Sequence, residues 1–440
     1  MRILIVGGGI SGFCSALALS KELTPRVPGL HITVFERHEV PSTSGGAISV
    51  SPVAQRHLAY LGVLQELDRF GPEAGIEVDA IEVFSVRTGK SLGSLDFTDQ
   101  RGQGYGGYKG RRVLRITLLL AMLAALEKTP NVDVVFGKKL VGGLETERKI
   151  QLHFEDGSTA LGDLLLGCDG VHSASRIEII DPGQSARYTG FSLVQTTVAA
   201  GQIASPVHFR ATALNVSRHG SLLMSFCDQN HEEIFLSAMV QCREVAVQDH
   251  RLNENRPDPR RQALIHSSLR REVVDRFGDS AVPCIREAVR LDTEWLLYPI
   301  YEVAPGRRWY TKRAILLGDA AHAMLPRDES AAYALDDAIL FSRVLAQYID
   351  HPLESAFAAY ETLRRDAVNY AFKASRKLWD RYRDTGALEG RLKEWLLPLY
   401  IRHDRESREA AWEFDASKVE IPVPGRYDDN ILNSDVDTAA

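Results

Sequence analysis

"RILIVGGGISGFCSALALSKEL", residues 2–23, is the stretch whose reading decides the fold. A short apolar run, a cluster of glycines and then apolar residues at helical spacing describe a buried strand, a tight turn and a helix. The glycines fit G-x-G-x-x-G at Gly7, Gly9 and Gly12. Gly7 permits the turn, Gly9 lets a pyrophosphate come close to the backbone, and Gly12 lets the helix pack tightly on the strand. The free N–H groups at the helix start then face the phosphates. A second strand, "HITVFE", ends in Glu36, 24 residues beyond Gly12. A carboxylate there accepts from two ribose hydroxyls and repels a 2′-phosphate, so the dinucleotide expected on this unit is FAD or NAD rather than NADP. The plain alternative is a glycine turn beside a surface glutamate. A secretory leader is a poor fit, because the glycines interrupt the apolar core and Arg2 alone is a thin basic region.

The chain has 440 residues, 45% of them hydrophobic and 25% charged, as expected of a soluble globular protein with a large core. Its net charge of −6 and pI near 6.1 argue against a nucleic-acid partner, which calls for a basic stripe. The five cysteines (Cys14, Cys168, Cys227, Cys242 and Cys284) are scattered, with no CxxC pair and no zinc spacing. Neither a disulfide framework nor a metal site is expected, and the compartment expected is reducing and cytoplasmic. No apolar run approaches the ~20 residues of a transmembrane helix.

Along the chain, residues 51–70 carry a helical pattern. Residues 80–97 alternate around Thr88-Gly89-Lys90 as a hairpin in a different sheet. "RRVLRITLLLAMLAALEK" (111–128) reads as an amphipathic helix, followed by a strand at "VDVVF", a hairpin turning at Asp156-Gly157 and an apolar strand ending at Cys168. Between 185 and 245 come four alternating segments, "FSLVQTTVAA", "VHFRATAL", "SLLMSFCD" and "EEIFLSAMV", expected to form an antiparallel sheet. Residues 258–290 and 331–349 are helical in pattern, "RAILLGD" is another buried strand, and 353–417 is mostly amphipathic helix with a polar, mobile end.

Two further motifs stand at strand ends. "LLLGCDGVHSASR" contains Asp169-Gly170 followed by Ser173 and Arg176, and "ILLGDAAH" contains Gly318-Asp319 at the start of a helix. An acid at a strand end accepts from ribityl or ribose hydroxyls, and the glycine beside it leaves room for the sugar. Asp169-Gly170 is equally readable as a simple turn.

These three motifs, in this order, resemble those of the class A flavoprotein monooxygenases, the para-hydroxybenzoate hydroxylase and salicylate hydroxylase-like group that includes many fungal secondary-metabolite enzymes. The resemblance spans residues 1 to about 380. It implies an α/β protein: a Rossmann-like FAD-binding domain made of discontinuous segments (1–76, 106–182 and 295–352), an antiparallel-sheet substrate domain (77–105 and 183–294), and C-terminal helices with a tail (353–440). It also implies bound FAD, NADPH or NADH as transient reductant, and a small-molecule substrate. Gly7, Gly9 and Gly12 would hold the pyrophosphate and Glu36 the adenosine ribose. Arg115, in an R-x-x-L at a helix start, would contact FAD. Gly46 and Ala47 in "GGAISVSP" would lie along the cofactor, and Asp169, Gly170, Gly318 and Asp319 match the family's DG and GD motifs.

Two departures stand out. After GDAAH the family carries a proline and a G-x-G-x-N-like loop, whose backbone donors face the pyrimidine edge of the flavin. Here the loop falls on Asp328-Glu329-Ser330-Ala331-Ala332, with Ala332 retained as a backbone contact. Acids aimed at an anionic reduced flavin oppose its reduction. Three readings stay open: Asp328 or Ser330 caps the next helix; Asp328 or Glu329 is an acid–base group facing substrate; or the flavin site is degenerate. The second departure is Val194-Gln195, where many relatives carry Trp-Arg, so an active-site arginine is expected to be missing. His322, Trp309 and Tyr310 read as structural, while the loop with Tyr105 and Tyr108 reads as a surface loop or as one approaching the substrate.

The expected activity is hydroxylation or epoxidation of a small aromatic or polycyclic natural-product-like substrate with NAD(P)H and O2. The alternative is a redox-neutral cyclase, isomerase or dehydratase using Asp328 and Glu329, with FAD structural or absent. A monomer or homodimer is expected.

Overall fold

The computed structural model describes residues 1–424 except 44–45, 243–258, 305 and 328–329. Four sheets account for the strands. The first is five-stranded and parallel, in the order β18 (Ala314–Leu316), β12 (Leu164–Gly167), β1 (Arg2–Val6), β2 (His31–Phe35), β8 (Val132–Val135). Every residue of β12 and β18 is buried, as their uninterrupted apolar sequence demands of strands covered on both faces. The helices α1 (Ile10–Leu23) and α8 (Ser330–Gln347) pack against each other over this sheet.

The second sheet has seven strands: β17 (Leu296–Glu302), β13 (Arg187–Ala199), β16 (Glu233–Gln241), β15 (Gly220–Phe226), β14 (Thr212–Ser217), β5 (Ala80–Ser85) and β6 (Ser91–Asp96). The helices α5 (Pro259–Phe277) and α6 (Pro283–Ala288) supply Val273, Phe277, Ile285 and Ala288 to a core closed by Val194, Leu222, Leu236 and Ala238. Each such fully buried Val, Leu, Ile or Phe side chain contributes roughly 1.5–3 kcal/mol. Two small sheets complete the set: β3 (Ala47–Val50), β7 (Gly110–Leu114) and β4 (Ile76–Val78), and the meander β9 (Leu140–Glu145), β10 (Ile150–Phe154), β11 (Thr159–Gly162). The remaining helices are α2 (Pro52–Tyr60), α3 (Val63–Asp68), α4 (Arg115–Glu127), α7 (Asp319–His322), α9 (Leu353–Asp380), α10 (Ala387–His403) and α11 (Arg405–Glu413).

Several sequence expectations are corrected. The helix expected over 51–70 is two, because Gly62 adopts φ +77° between α2 and α3. The helix expected from 111 begins at Arg115; residues before it pair with β3 and β4, and tertiary pairing outweighs helical propensity. The strand expected from Val207 starts at Thr212, and β14 pairs parallel with β5, so the seven-stranded sheet is not wholly antiparallel. β17 belongs to this sheet although it follows residue 294. Tyr105 does not reach for a substrate: it is buried against Trp412, 5.4 Å between ring centroids, under the C-terminal segment. The polar end expected to be mobile lies outside the described residues beyond 424.

Candidate cofactor groove

The three strand-end motifs meet. Gly7 has φ +110°, and a methyl group built on it would lie 2.4 Å from the Cys168 carbonyl oxygen and 2.8 Å from Asp169 Cα. A methyl on Gly12 would sit 1.9 Å from the Gly7 carbonyl oxygen. One on Gly318 would lie 2.8 Å from Ser11 Oγ and 3.8 Å from Ala334 Cβ, so the GD turn touches the first turn of α1 and the second turn of α8. Arg176, fully buried, closes the remaining gap. Its guanidinium donates to the carbonyls of Ala320 (2.7 Å), Val171 (2.6 Å) and Gln184 (3.2 Å), which clamps the DG loop to the GD helix.

Glu36 sits against the glycine turn: Gly8 N donates to Oε2 at 2.7 Å, and His38 N donates to Oε1 at 2.9 Å. A methyl on Gly8 would lie 2.8 Å from Glu36 Cβ, so Gly8, absent from the motif reading, is needed for that approach. Asp169 turns its carboxylate into its own loop, accepting from Ser173 Oγ (2.5 Å) and Ser175 N (2.9 Å). Burial raises its pKa, and those two partners act against the rise. Its role in the described residues is to shape the loop, leaving the Gly170 backbone with open space around it.

Asp319 differs. Its side chain is exposed although protein crowds it, and that crowding pushes the carboxyl above its ordinary value while His322 and Arg115 pull it down. Arg115 is delivered by the β7-to-α4 junction: its N–H donates to the Gly46 carbonyl at 2.9 Å, and Ala47 pairs with Leu114. The GGA stretch and the R-x-x-L helix are thereby one unit. Ala332 is buried in the first turn of α8. Asp328 and Glu329, the expected acid–base candidates, lie outside the described residues.

A buried charge network escaped the sequence reading. Asp337, fully buried on α8, accepts from Gly318 N (2.8 Å) and Arg364 Nε (2.6 Å), and lies 2.7 Å from His322 Nε2. Its neighbour Asp336 lies 3.2 Å from Arg364 Nη2 and 3.2 Å from His57 Nδ1. Burial alone would raise the Asp337 pKa, but His322 and the Arg364 guanidinium overcome it and hold the carboxyl far below the usual range. The available signal was Asp336-Asp337 inside an apolar helix; its partner Arg364 stands on α9, 27 residues away. His322, read from the sequence as structural, is buried within this network.

The donor set fits FAD. α1 carries no side-chain cap and no acid in its first turn, so its free N–H groups and dipole remain available to a pyrophosphate. Gly9 offers bare backbone, since a methyl there would meet nothing within 4 Å. Glu36 and Asp319 place carboxylates beside the glycine turn and the GD turn, and Arg115 lies close enough to Asp319 to lower its pKa.

The seven-stranded sheet turns a second face toward this groove. A methyl on Gly46 would sit 2.4 Å from the Phe235 ring, so β16 abuts the strand that leads to Arg115. Alternation places Leu193, Gln195, Ser237 and Met239 opposite the α5–α6 side. Leu193 and Met239 pack with Leu325 and Trp379, and Trp379 Nε1 donates to the Pro326 carbonyl (2.7 Å) just after the GD helix. Val194 faces the core behind the sheet, while Gln195 donates to Ser237 Oγ at 3.2 Å. Neither Val194 nor Gln195 supplies the arginine that the resemblance led one to look for.

Comparison with known proteins agrees with this geometry. Residues 1–375 match the FAD binding domain family, and the chain belongs to that family. Its class is that of the flavin-dependent monooxygenases, with FAD as bound cofactor. Similar proteins include salicylate hydroxylase from Pseudomonas putida, 28% identical over 393 residues covering 83% of this chain and 82% of that protein. The 6-hydroxynicotinate 3-monooxygenase from Pseudomonas fluorescens is 26% identical over 84% of this chain and 88% of its own length. An FAD-dependent monooxygenase from Aspergillus terreus is 25% identical over 97% of both chains. Among solved structures, Klebsiella pneumoniae HpxO complexed with FAD and uric acid has a TM-score of 0.72 at 22% identity, covering 94% of this chain and 95% of that one. That likeness shows the fold.

Proposed function

We propose that the protein inserts one oxygen atom into a small, uncharged aromatic or polycyclic substrate, consuming NADPH or NADH and O2. The overall balance is substrate C–H, O2, NAD(P)H and a proton in; C–OH, water and NAD(P)+ out. An epoxide replaces the alcohol when a C=C bond is the acceptor. When bound, FAD supplies the two-electron chemistry that couples nicotinamide oxidation to cleavage of O2. This chain's residues do the holding. Gly7, Gly9, Gly12 and the first turn of α1 take the pyrophosphate, Glu36 and Asp319 accept sugar hydroxyls, and Arg115 adds a cation beside Asp319.

The observation that carries the substrate reading is the uncharged wall. Leu193, Met239 and Phe235 make this side of the sheet apolar, suited to a flat ring system, and the Gln195–Ser237 pair offers one donor–acceptor site to orient it. Leu193, Gln195, Ser237 and Met239 themselves offer a carboxylate substrate no counter-charge; the arginine near this face is Arg383, 5.2 Å from the Phe191 ring. The redox-neutral alternative rested on Asp328 and Glu329, which are not described, and no observed contact favours it.

The test is a panel of neutral polycyclic phenols and enols against aromatic carboxylates, with each nicotinamide. Neutral substrates should accelerate NAD(P)H oxidation and yield products carrying one atom of 18O from 18O2. Product formation without NAD(P)H or label incorporation would overturn the reading. A preference for carboxylates would overturn the substrate class alone.

A further inference from the structure

We propose that α10 is a docking surface for an anionic lipid bilayer. The helix is held to the body on one side. Ile401 is buried against Gly93 of β6, where a methyl would lie 3.5 Å from Ile401 Cδ1, and Glu394 pairs with Arg87 at 3.1 Å. On its other side Leu388, Leu392, Trp395, Leu396 and Leu399 are 83%, 56%, 70%, 43% and 56% exposed. At 3.6 residues per turn these five fall within an arc of about 100°, a continuous apolar stripe. A helix of a water-facing protein turns its apolar face inward; here Ile401 is the one buried residue and the apolar stripe faces away from the body. Scattered exposed leucines are ordinary, but a contiguous stripe with an exposed tryptophan marks a contact surface.

Charge selects the occupant. Both acids of α10 are already paired, Glu394 with Arg87 and Glu389 with Lys393 at 3.1 Å. The cations Arg391 and Arg402 are exposed and have no ion-pair partner among the described residues. Both fall on the same border of the stripe, next to Trp395. Uncompensated arginines along the rim of a Leu/Trp face are the composition of an interfacial helix: the apolar face enters the acyl boundary and the guanidinium groups stay among anionic headgroups. A second copy of the chain fits less well, because an antiparallel two-fold contact would set Arg391 of one copy beside Arg402 of the other. No helix among the described residues is long and apolar enough to cross a membrane, so the attachment lies in the plane of the surface. The surface is separate from the cofactor groove, and the inference stands independently of the substrate reading.

Flotation of the purified, FAD-loaded full chain with phosphatidylcholine vesicles, and with vesicles containing phosphatidylserine, tests this. The protein should float with the anionic vesicles and remain below the neutral ones. R391E/R402E should weaken anionic binding roughly 30-fold or more, and L392S/W395S should abolish it. Both variants should keep wild-type FAD content and NAD(P)H oxidation. Equal binding to both vesicle types, no flotation of wild type, or a dimer in light scattering that L392S/W395S dissociates would each overturn the proposal.

Discussion

A methyl group added at Gly9 should cost the cofactor and spare the fold; the same methyl at Gly12 should cost the fold itself. At Gly12 the methyl would lie 1.9 Å from the Gly7 carbonyl oxygen, a backbone atom that cannot rotate aside. Overpacking costs about 1–3 kcal/mol and alanine returns about 1 kcal/mol of helix propensity, so Gly12→Ala should lose up to about 2 kcal/mol of apoprotein stability. Gly9 adopts φ −100° and ψ −169°, open to any residue, with nothing within 4 Å of the added carbon. Gly9→Ala should therefore stay within about 0.5 kcal/mol of wild type as apoprotein. The open space is where the pyrophosphate must approach. Losing one charge-assisted N–H contact, about 1.5–3 kcal/mol, weakens FAD binding roughly 10- to 100-fold. At an FAD concentration 100 times the wild-type Kd, ligand stabilisation of about 2.7 kcal/mol should shrink to about 0.4 kcal/mol at the upper end of that range. Urea unfolding of each protein with and without FAD, alongside flavin fluorescence titration, reads both quantities. Equal apoprotein destabilisation in the two variants, or unchanged FAD affinity in Gly9→Ala, would refute the reasoning.

Asp337→Asn removes the charge facing buried Arg364 and His322, and should cost about 3–5 kcal/mol, read as a lower urea midpoint with unchanged slope; a loss under about 1 kcal/mol would mean Asp336 alone suffices. Arg176→Met strips three carbonyls of their donor, at about 1–3 kcal/mol for each left unsatisfied, and should release FAD together with stability because it unclasps the DG loop from the GD helix. Asp319→Asn should stabilise the apoprotein above the ordinary carboxyl range, where the crowded charge is unfavourable, while weakening FAD; a destabilised apoprotein would contradict that sign. On the acid side, burial raises the Glu302 pKa but Arg376 and Arg187 hold it below its ordinary value. Asp337 is depressed as well. Their stabilisation is fully present above the unfolded carboxyl value near 4 and is lost as pH falls through the folded values below it, and Glu302→Gln should flatten that acid limb.

The sequence by itself determined the elements whose signals are local. The βαβ opening, the glycine turn and Glu36 lie within one stretch of about 36 residues, where strand and helix periods and a fixed spacing leave little choice of geometry. The DG and GD motifs were readable for the same reason, each being a strand end followed by its own turn. Tertiary structure decided what their side chains do. Asp169 and Asp319 look alike as acids beside glycine, yet one is consumed by Ser173 and Ser175 and the other stays open to the groove. Arg176 meets Ala320 from 144 residues away, and Asp337 joins Gly318, His322 and Arg364 across a turn and two helices. No period or spacing encodes such contacts, because they depend on how separately folded segments pack. The same holds where β7 replaced the first turn of an expected helix: a strand partner 60-odd residues upstream outweighed local propensity, since the burial and ladder bonds it offered exist only in the folded chain.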